Sequence, residues 1–228
     1  MNKTDIIITS RNRIEYLKKT LAYIYERTHT PYAIHIIDDN SDMAVANYLI
    51  ELWQSGKIET LTLRNERAGI MANKNLSTWL SFSDPFVISA DDLLCPDLSP
   101  DWLQRGLDVM AKYPQIGELD LNHPGAYRVA IEQNKDVTFC EVVGGTFGFV
   151  RRKAIESWHL PHYRKNYGQG DDVFRCHRIA NRGYKVAFMN DVYCYHIGKW
   201  SACTESEYAN GPFLPVKDWK TLEPEVNL

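Results

Sequence analysis

The first 95 residues alternate between short apolar runs and longer segments that carry apolar residues at helical spacing. The short runs are rich in Ile, Val and Leu, which is typical of strands buried on both faces. The longer segments repeat apolar residues every three or four positions, which indicates helices. Strands that alternate with helices predict a doubly wound, mostly parallel sheet with right-handed crossovers. The predicted strands are residues 5–9, 32–37, 58–63 and 86–90. Of the helices between them, the first begins after Asn12, which is its predicted cap, the second begins near Met43, and the third begins at Gly69.

The second half of the chain is less regular. Its pattern predicts a helix from Ser99 to Lys112, a short helix over residues 151–158, and a helix that begins at Asp171 or Asp172 and ends near Arg182. Short strands are predicted at residues 116–121, 137–143, 146–150, 184–189 and 192–195. These elements predict a single α/β domain over residues 1–198, followed by a tail over residues 199–228 that packs on the domain or is partly mobile.

Composition excludes several classes of protein. The net charge of −3 gives no general attraction for nucleic acid, whose binding proteins usually have a basic excess. The five cysteines are odd in number and contain no CxxC pair, so neither a disulfide framework nor a cysteine zinc site is predicted. No apolar segment opens the chain, and no run reaches the ~18 apolar residues of a membrane span. We therefore expect a cytoplasmic protein, with peripheral contact to a membrane as a further expectation.

Two adjacent carboxylates, Asp91 and Asp92, directly follow the fourth predicted strand. Ligands bind at this end of the strands in open α/β sheets, and the polar segments after the first two strands, residues 10–13 and 38–42, are expected at the same edge. The neighbouring sequence holds no Lys or Arg to balance the acid pair, so it predicts a divalent cation such as Mn²⁺ or Mg²⁺. The alternative is that the pair only caps the turn toward Pro96.

Seven features occur in an order that suggests a known family. They are Thr9–Arg13 after the first strand, Asp38–Ser41 after the second, Gly69 with Ala72–Asn75, Asp91–Asp92, Gly144–Gly145 before Arg151–Arg152, Gly170–Asp172 before a helix, and His196. From about residue 4 to residue 198 the chain resembles the nucleotide-sugar glycosyltransferases of family 2. Two departures stand out: the family's DxD motif is represented by Ser89–Ala90–Asp91–Asp92, and its Glu-Asp pair by Asp171–Asp172.

The resemblance implies the GT-A fold, a single Rossmann-like domain with a mostly parallel central sheet flanked by helices and a smaller second sheet. Residues 1–95 would bind the nucleotide and residues 96–198 the acceptor. The donor would be a nucleoside diphosphate sugar, most simply a UDP-sugar. The acceptor-only carboxylate of Asp39 suits the ring N–H of uracil, thymine or guanine and disfavours adenine. The predicted donor-binding residues are Thr9, Ser10, Arg11, Arg13, Asp39, Arg67, Asn73, Lys74, Asp91 and Gly145.

The resemblance also implies the chemistry. Asp92 and His196 would bind Mn²⁺ or Mg²⁺, which stabilises the departing diphosphate. Asp172 would be the general base and Asp171 its catalytic neighbour, giving a single displacement with inversion. For both members of that pair the structural alternative is helix capping. The acceptor would be a hydroxyl of a glycan or a lipid-linked sugar, and Trp158 and Tyr167 are the predicted acceptor-binding residues.

Two other functions compete with this one. A nucleotidyltransferase that makes nucleotide sugars would share the sheet and the metal acids, but it normally has a Gly-rich loop after the first strand, where this chain has Ser10–Arg11–Asn12. A non-catalytic module that binds nucleotide sugars would not need Asp171 and Asp172. An NAD-binding fold is disfavoured because no GxGxxG motif follows residues 6–8.

Overall fold

The computed structural model describes residues 3–123, 129–155 and 171–198. The strands are β1 (Thr4–Ser10), β2 (Tyr32–Asp38), β3 (Thr60–Leu63), β4 (Phe86–Ala90), β5 (Leu93–Leu94), β6 (Ile116–Asn122), β7 (Ala130–Gln133), β8 (Val137–Cys140), β9 (Gly148–Val150), β10 (Lys185–Tyr193) and β11 (Tyr195–His196). The helices are α1 (Ile14–Arg27), α2 (Met43–Gln54), α3 (Ile70–Leu80), α4 (Trp102–Lys112), α5 (Arg152–Ile155) and α6 (Asp171–Asn181).

Nine strands of the described part form one sheet in the order β3-β2-β1-β4-β9-β6-β10-β8-β7. β3, β2, β1 and β4 are parallel, and β6 and β10 are parallel to each other. β9 and β8 pair antiparallel with both of their neighbours, so seven of the nine strands share one direction. β5 and β11 form the second, two-stranded sheet. The predicted α/β fold class, with a mostly parallel sheet and a smaller second one, is confirmed.

Apolar residues of the first strands and helices explain why this half folds as predicted. Ile6, Ile7 and Ile8 of β1 are fully buried, because helices cover both faces of the sheet. Leu17, Leu21 and Ile24 of α1 repeat at helical spacing and pack in the larger of two apolar clusters. That cluster also contains Trp102 of α4, whose ring lies 4.8 Å from that of Phe147. The core therefore extends under both halves of the sheet.

Several predicted boundaries differ from the structure. Asn12 does not cap α1: it has a positive φ of 52°, and its side chain accepts a hydrogen bond from the backbone N–H of Asp42. α4 begins at Trp102 rather than Ser99, because Asp101 is its cap. The two closing strands predicted at residues 184–189 and 192–195 are largely one strand, β10. The sequence pattern does not predict β7, since its four residues are all exposed and lack an apolar face.

Asp101 shows how a carboxylate fixes a helix start. It accepts hydrogen bonds from the backbone N–H groups of Gln104, His29 and Thr30, and so ties α4 to the end of α1. Burial alone would raise the pKa of Asp101, but these three donors outweigh it and lower the pKa below its usual value. A carboxylate whose pKa is lowered by folding stabilises the protein above the unfolded-state pKa, and this stabilisation is lost as the pH falls.

We expect Asp101→Asn to be less stable than the parent protein, with a stability difference that depends on pH. The difference should be complete above about pH 4, the ordinary range of an Asp carboxyl, and should shrink at lower pH as Asp101 itself becomes protonated. Urea unfolding of both proteins between about pH 3 and pH 7 measures it. Asp108→Asn on the exposed side of α4 is the control, and an equal difference at all pH values would contradict the expectation.

The carboxyl ends of the parallel strands place the polar loops along one edge of the sheet. β1 ends at Ser10, β2 at Asp38 and β4 at Ala90, directly before the acid pair. β9 runs antiparallel to β4, with Gly148 opposite Ile88, so the loop that precedes β9 lies at the same edge. In the described residues no helix is long and apolar enough to cross a membrane. The division into halves at residue 95 stays a prediction, and the tail at residues 199–228 lies outside the described residues.

Candidate active site

The acid pair is balanced by an arginine that is distant in sequence. Asp91 and Asp92 are both almost fully buried, and Nη1 of Arg13 lies 3.2 Å from Oδ1 of Asp91 and 2.7 Å from Oδ2 of Asp92. The hydroxyl of Ser10 donates to Oδ2 of Asp91 at 2.8 Å. No Lys or Arg flanks the pair in the sequence, but the loop after β1 places Arg13 beside it.

The two carboxylates differ in their electrostatic surroundings. Burial and the neighbouring charge of Asp92 raise the pKa of Asp91 to about 6. Burial alone would also raise the pKa of Asp92, but His196 and Arg13 outweigh it and lower the pKa of that carboxyl. Asp92 is therefore the more strongly ionised of the two. This difference agrees with the prediction that Asp92, and not Asp91, is the metal ligand, a role that stays a prediction.

His196 of β11 and Gly198, two residues later, both lie close to Asp92. Nε2 of His196 lies 3.2 Å from Oδ2 of Asp92, and the backbone N–H of Ile197 donates to the carbonyl of Asp92. A Cβ atom on Gly198 would lie 2.0 Å from Oδ2 of Asp92 and 2.5 Å from Nη2 of Arg13. Only glycine fits here, because the backbone passes directly against the carboxylate. Oδ1 of Asp92 is buried and has no hydrogen-bond partner among the described residues.

We expect Gly198→Ala to push the Asp92 carboxylate out of its position and to destabilise the protein. Extra atoms in a closely packed site typically cost about 1–3 kcal/mol. The free energy of unfolding in urea measures this cost. Gly183→Ala is a useful comparison, because a Cβ at that position has no atom within 4 Å and its effect would come from the positive φ of 82° alone. An unfolding free energy for Gly198→Ala equal to that of the parent would contradict the expectation.

The loop after β2 is held by the carboxylates that end this strand. Asp38 accepts hydrogen bonds from the backbone and the hydroxyl of Ser41, which closes the turn before α2. Asp39 accepts from the backbone N–H groups of Ala68 and Gly69, at 2.8 and 2.9 Å. Asp39 thus fixes the segment that leads into α3. Each of its oxygens keeps a second lone pair, so contact with a nucleobase stays a prediction.

The other predicted donor-binding residues lie near these loops. Asn73 is buried, and its side-chain oxygen accepts from Nε of Arg64 at 2.7 Å. Arg67 is exposed in the segment that Asp39 holds, and Arg11 is exposed after β1. Thr9 is buried and lies opposite Ala90 on β4. The structure therefore brings these residues to the edge that carries the acid pair, and their contacts with a donor stay predictions.

Asp172 at the start of α6 lies in a second charged cluster. Its Oδ1 accepts hydrogen bonds from Nζ of Lys74 at 3.0 Å and from Nη1 of Arg175 at 2.9 Å. Arg175 also forms a two-point ion pair with Glu118 of β6, at 2.7 and 2.6 Å. Burial would raise the pKa of Asp172, but Lys74 and Arg175 outweigh it and hold this pKa far below its usual value. The contacts link Glu118, Arg175, Asp172 and Lys74 in that order, so negative and positive charges alternate along the cluster.

Gly145 lies beside this cluster with a φ of +70°. A Cβ there would stand 3.3 Å from Oδ1 of Asp172 and 3.6 Å from Nζ of Lys74. The loop before β9 and the start of α6 therefore meet at the edge where β4 ends. The sequence prediction groups Lys74, Gly145 and Asp172 at one site, and these three do lie together.

Glu118 and Arg175 are site residues that the sequence prediction lacks. Arg175 follows Asp172 at helical i,i+3 spacing, which is a readable signal, whereas Glu118 lies 57 residues away and gives none. Among the predicted residues, the side chain of Asp171 and the whole of Trp158 and Tyr167 lie outside what the structure describes. No group of three or more His, Cys, Asp or Glu side chains suited to a metal occurs in the described residues.

The arrangement combines two kinds of chemistry at one edge of the sheet. The first cluster offers a buried carboxylate oxygen, which is a typical ligand for Mn²⁺ or Mg²⁺ together with phosphate oxygens, and a histidine nitrogen beside it. The second offers a carboxylate, one-third exposed, with basic side chains around it. Such a pair of centres can hold an anionic leaving group and accept a proton from an incoming nucleophile.

Comparison with known proteins finds a similar fold in solved structures that contain UDP or a nucleotide sugar. The structure of GalNAc-T7 with UDP, GalNAc and Mn²⁺ has a TM-score of 0.69 and 12% identity, covering 89% of this chain and 45% of that one. S. aureus TarS in complex with UDP-GlcNAc has a TM-score of 0.67 and 11% identity, covering 95% and 69%. A mannosyltransferase of Pyrobaculum calidifontis with GDP-Man and Mn²⁺ has a TM-score of 0.65 and 18% identity, covering 91% and 59%.

Among curated proteins, Polyprotein P1234 of O'nyong-nyong virus (strain SG650) is 28% identical over 156 residues, which is 64% of this chain but 6% of the polyprotein. This chain therefore spans a small part of that relative and less than half of GalNAc-T7. The family model described as "Glycosyl transferase family 2" matches residues 5–122, more than half of the chain. The match runs from β1 to the end of β6 and includes the acid pair. The chain therefore belongs to glycosyl transferase family 2, with the GT-A fold.

Proposed function

We propose that this protein is a nucleotide-sugar-dependent glycosyltransferase that inverts the configuration at the anomeric carbon, with a divalent metal and Asp172 as general base. The observation that carries the proposal is the presence of two distinct charged clusters at the carboxyl edge of the sheet. Asp92 and His196 belong to one of them, and Asp172 to the other. Family membership and structural neighbours bound to nucleotide sugars support the reaction class.

The residues around Asp92 fit a divalent ion. The buried Oδ1 of Asp92 has no partner among the described residues, and a hard cation would satisfy it. Nε2 of His196 faces the same carboxylate at 3.2 Å. Asp92 and His196 would hold Mn²⁺ or Mg²⁺, which supplies positive charge against the diphosphate as it leaves. Arg13, already in contact with both acids, would add a second positive charge at this place.

The donor would lie along the sheet edge. We assign the nucleobase to two neighbouring loops, the Thr9–Arg13 turn at the end of β1 and the loop that begins at Asp39 after β2. The diphosphate would lie between Arg13 and Lys74, and Gly145 would allow the backbone to approach the sugar. Arg67, Arg11 and Asn73 complete the proposed donor site. A UDP-sugar is the proposed donor.

In the proposed reaction the acceptor hydroxyl attacks the anomeric carbon from the side opposite the diphosphate. Asp172 accepts the hydroxyl proton as the new C–O bond forms, and the bond to the diphosphate oxygen breaks. One base and no covalent intermediate give inversion. The proposed acceptor is a glycan or lipid-linked sugar hydroxyl. Asp171, which precedes the proposed base, is proposed to hold the donor or the acceptor, and Trp158 and Tyr167 are proposed to contact the acceptor. A cytoplasmic location, with contact to a membrane surface, stays a prediction.

Thermal unfolding in the presence of UDP- and GDP-sugars, with Mn²⁺ or with EDTA, tests the proposal. A ligand at about a hundred times its dissociation constant stabilises the native protein by about 2.7 kcal/mol. We expect stabilisation by at least one donor, larger with Mn²⁺, and release of nucleoside diphosphate from that donor on longer incubation. Stabilisation without release would favour the non-catalytic binding module. Release of pyrophosphate from a nucleoside triphosphate and a sugar phosphate would favour the nucleotidyltransferase.

A further inference from the structure

Asp172 is held by two cations that come from different parts of the fold. Nζ of Lys74, on α3, and Nη1 of Arg175, on its own helix, both donate to the same oxygen, Oδ1. Two cations on one oxygen stabilise the ionised carboxylate and make it a poor proton acceptor. A general base works best when its pKa lies near the operating pH. If Asp172 is the base of the proposed function, one of the two cations has to withdraw before the reaction.

Arg175 is not suited to withdraw. It donates two hydrogen bonds to Glu118, and both side chains are almost completely buried, with 4% and 1% of their surface exposed. Moving the guanidinium would leave the Glu118 carboxylate buried without its counter-ion, which is strongly unfavourable. The planar guanidinium also matches the carboxylate in a fixed two-point geometry. Arg175 is therefore a fixed positioning residue for Asp172.

Lys74 is suited to withdraw. Its ammonium is a compact charge at the end of a flexible four-carbon chain, and lysine is a common phosphate ligand. It lies in the first turns of α3, which follows the segment that Asp39 fixes next to the proposed nucleotide site. A diphosphate carries more negative charge than the single carboxylate of Asp172. A bound donor would therefore compete successfully for this ammonium.

We propose that Lys74 is shared between Asp172 and the donor: it binds Asp172 in the donor-free protein and moves to the diphosphate when the donor binds, which releases Asp172 to accept a proton. This inference rests on the proposed function and deepens it. The pKa of Asp172, which Lys74 and Arg175 lower, agrees with it. The consequence is an order of events, because the base becomes effective only after the leaving group is in place.

A double-mutant cycle on the affinity for UDP tests the proposal. The proteins are the parent, Lys74→Met, Asp172→Asn and the double variant, measured by calorimetry at one salt and Mn²⁺ concentration, with GDP as a second probe. In the parent, UDP has to break the Lys74–Asp172 contact. We therefore expect Asp172→Asn to tighten UDP binding about tenfold, because the variant has no hydrogen bond between charged groups to break before UDP binds. In the Lys74→Met background the same substitution should change the affinity less than about twofold.

The cycle separates lysine transfer from simple repulsion between Asp172 and the diphosphate. Repulsion alone would give the same tightening in both backgrounds, and that result would overturn the proposal, as would no tightening in either. Lys153→Met, at an exposed lysine of α5, is the matched control and should leave the tightening intact. If none of the four proteins bound UDP or GDP, the proposed function itself would fail and this inference with it, whereas binding without coupling would overturn the inference alone.

Discussion

Asp172→Asn is expected to lower the rate of sugar transfer by about 10²–10⁴-fold, the usual contribution of a general base, which is the role proposed for Asp172. The substitution keeps the size and the polarity of the side chain, but the amide oxygen is a far weaker proton acceptor than a carboxylate. The donor should still bind, because the proposed donor ligands are unchanged. Initial rates at saturating donor measure the effect, and the loss should appear in kcat and not as a raised KM for the donor.

Asp171→Asn is the matched comparison, since it makes the same chemical change one residue earlier. We expect it to affect the rate less, and a loss for Asp171→Asn larger than that for Asp172→Asn would transfer the base role to Asp171. The rate of the parent protein should also fall as the pH is lowered, because the base has to be ionised to accept a proton. Transfer by Asp172→Asn at the parent rate would contradict the mechanism.

Most of the fold and two acids of the site are predictable from the sequence because both follow from local patterns. Apolar runs define β1, β2 and β4, and the residues that follow a parallel strand lie at the carboxyl edge by geometry alone. The acids Asp39 and Asp92 can thus be assigned to one edge from their positions after strands, and Asp172 joins them through the family resemblance. β7 cannot be found in this way, because an exposed edge strand without an apolar face has no periodic signal.

The partners of these acids are not predictable from local patterns, because pairing between distant segments depends on sheet order. Arg13 reaches the acid pair across 78 residues of sequence, and Lys74 reaches Asp172 across 98. Both contacts exist because β1 lies next to β4, and because β9 is inserted antiparallel between β4 and β6. No local pattern contains that order. Sequence reasoning therefore locates Asp39, Asp92 and Asp172, but it finds neither Glu118 nor the ion pairs that Arg13 and Lys74 form with these acids.

Glu118→Gln is expected to destabilise the protein by about 3–5 kcal/mol, the cost of removing one partner of a buried ion pair. Arg175 would keep its charge in a buried position, where its ion pair with Asp172 cannot replace the two hydrogen bonds to Glu118. Gly148 also approaches Glu118 so closely that a Cβ there would lie 3.0 Å from Oε1, so the pocket has little room to rearrange. Urea unfolding measures the loss. Glu132→Gln in the exposed pair with Lys185 is the control, and should cost less than about 1 kcal/mol.

A second variant separates stability from function at the Glu118–Arg175 pair. Replacing both Glu118 and Arg175 with Met removes the two buried charges together, and such replacements are often neutral or stabilising. We therefore expect the double variant to recover most of the stability that Glu118→Gln loses, although Asp172 would lose its contact with Arg175. If the recovered protein still transferred sugar at the parent rate, the pair would be structural only. A stable double variant with a reduced kcat would show that the ion pair orients the base, because stability and rate would then respond to different properties of the same two side chains.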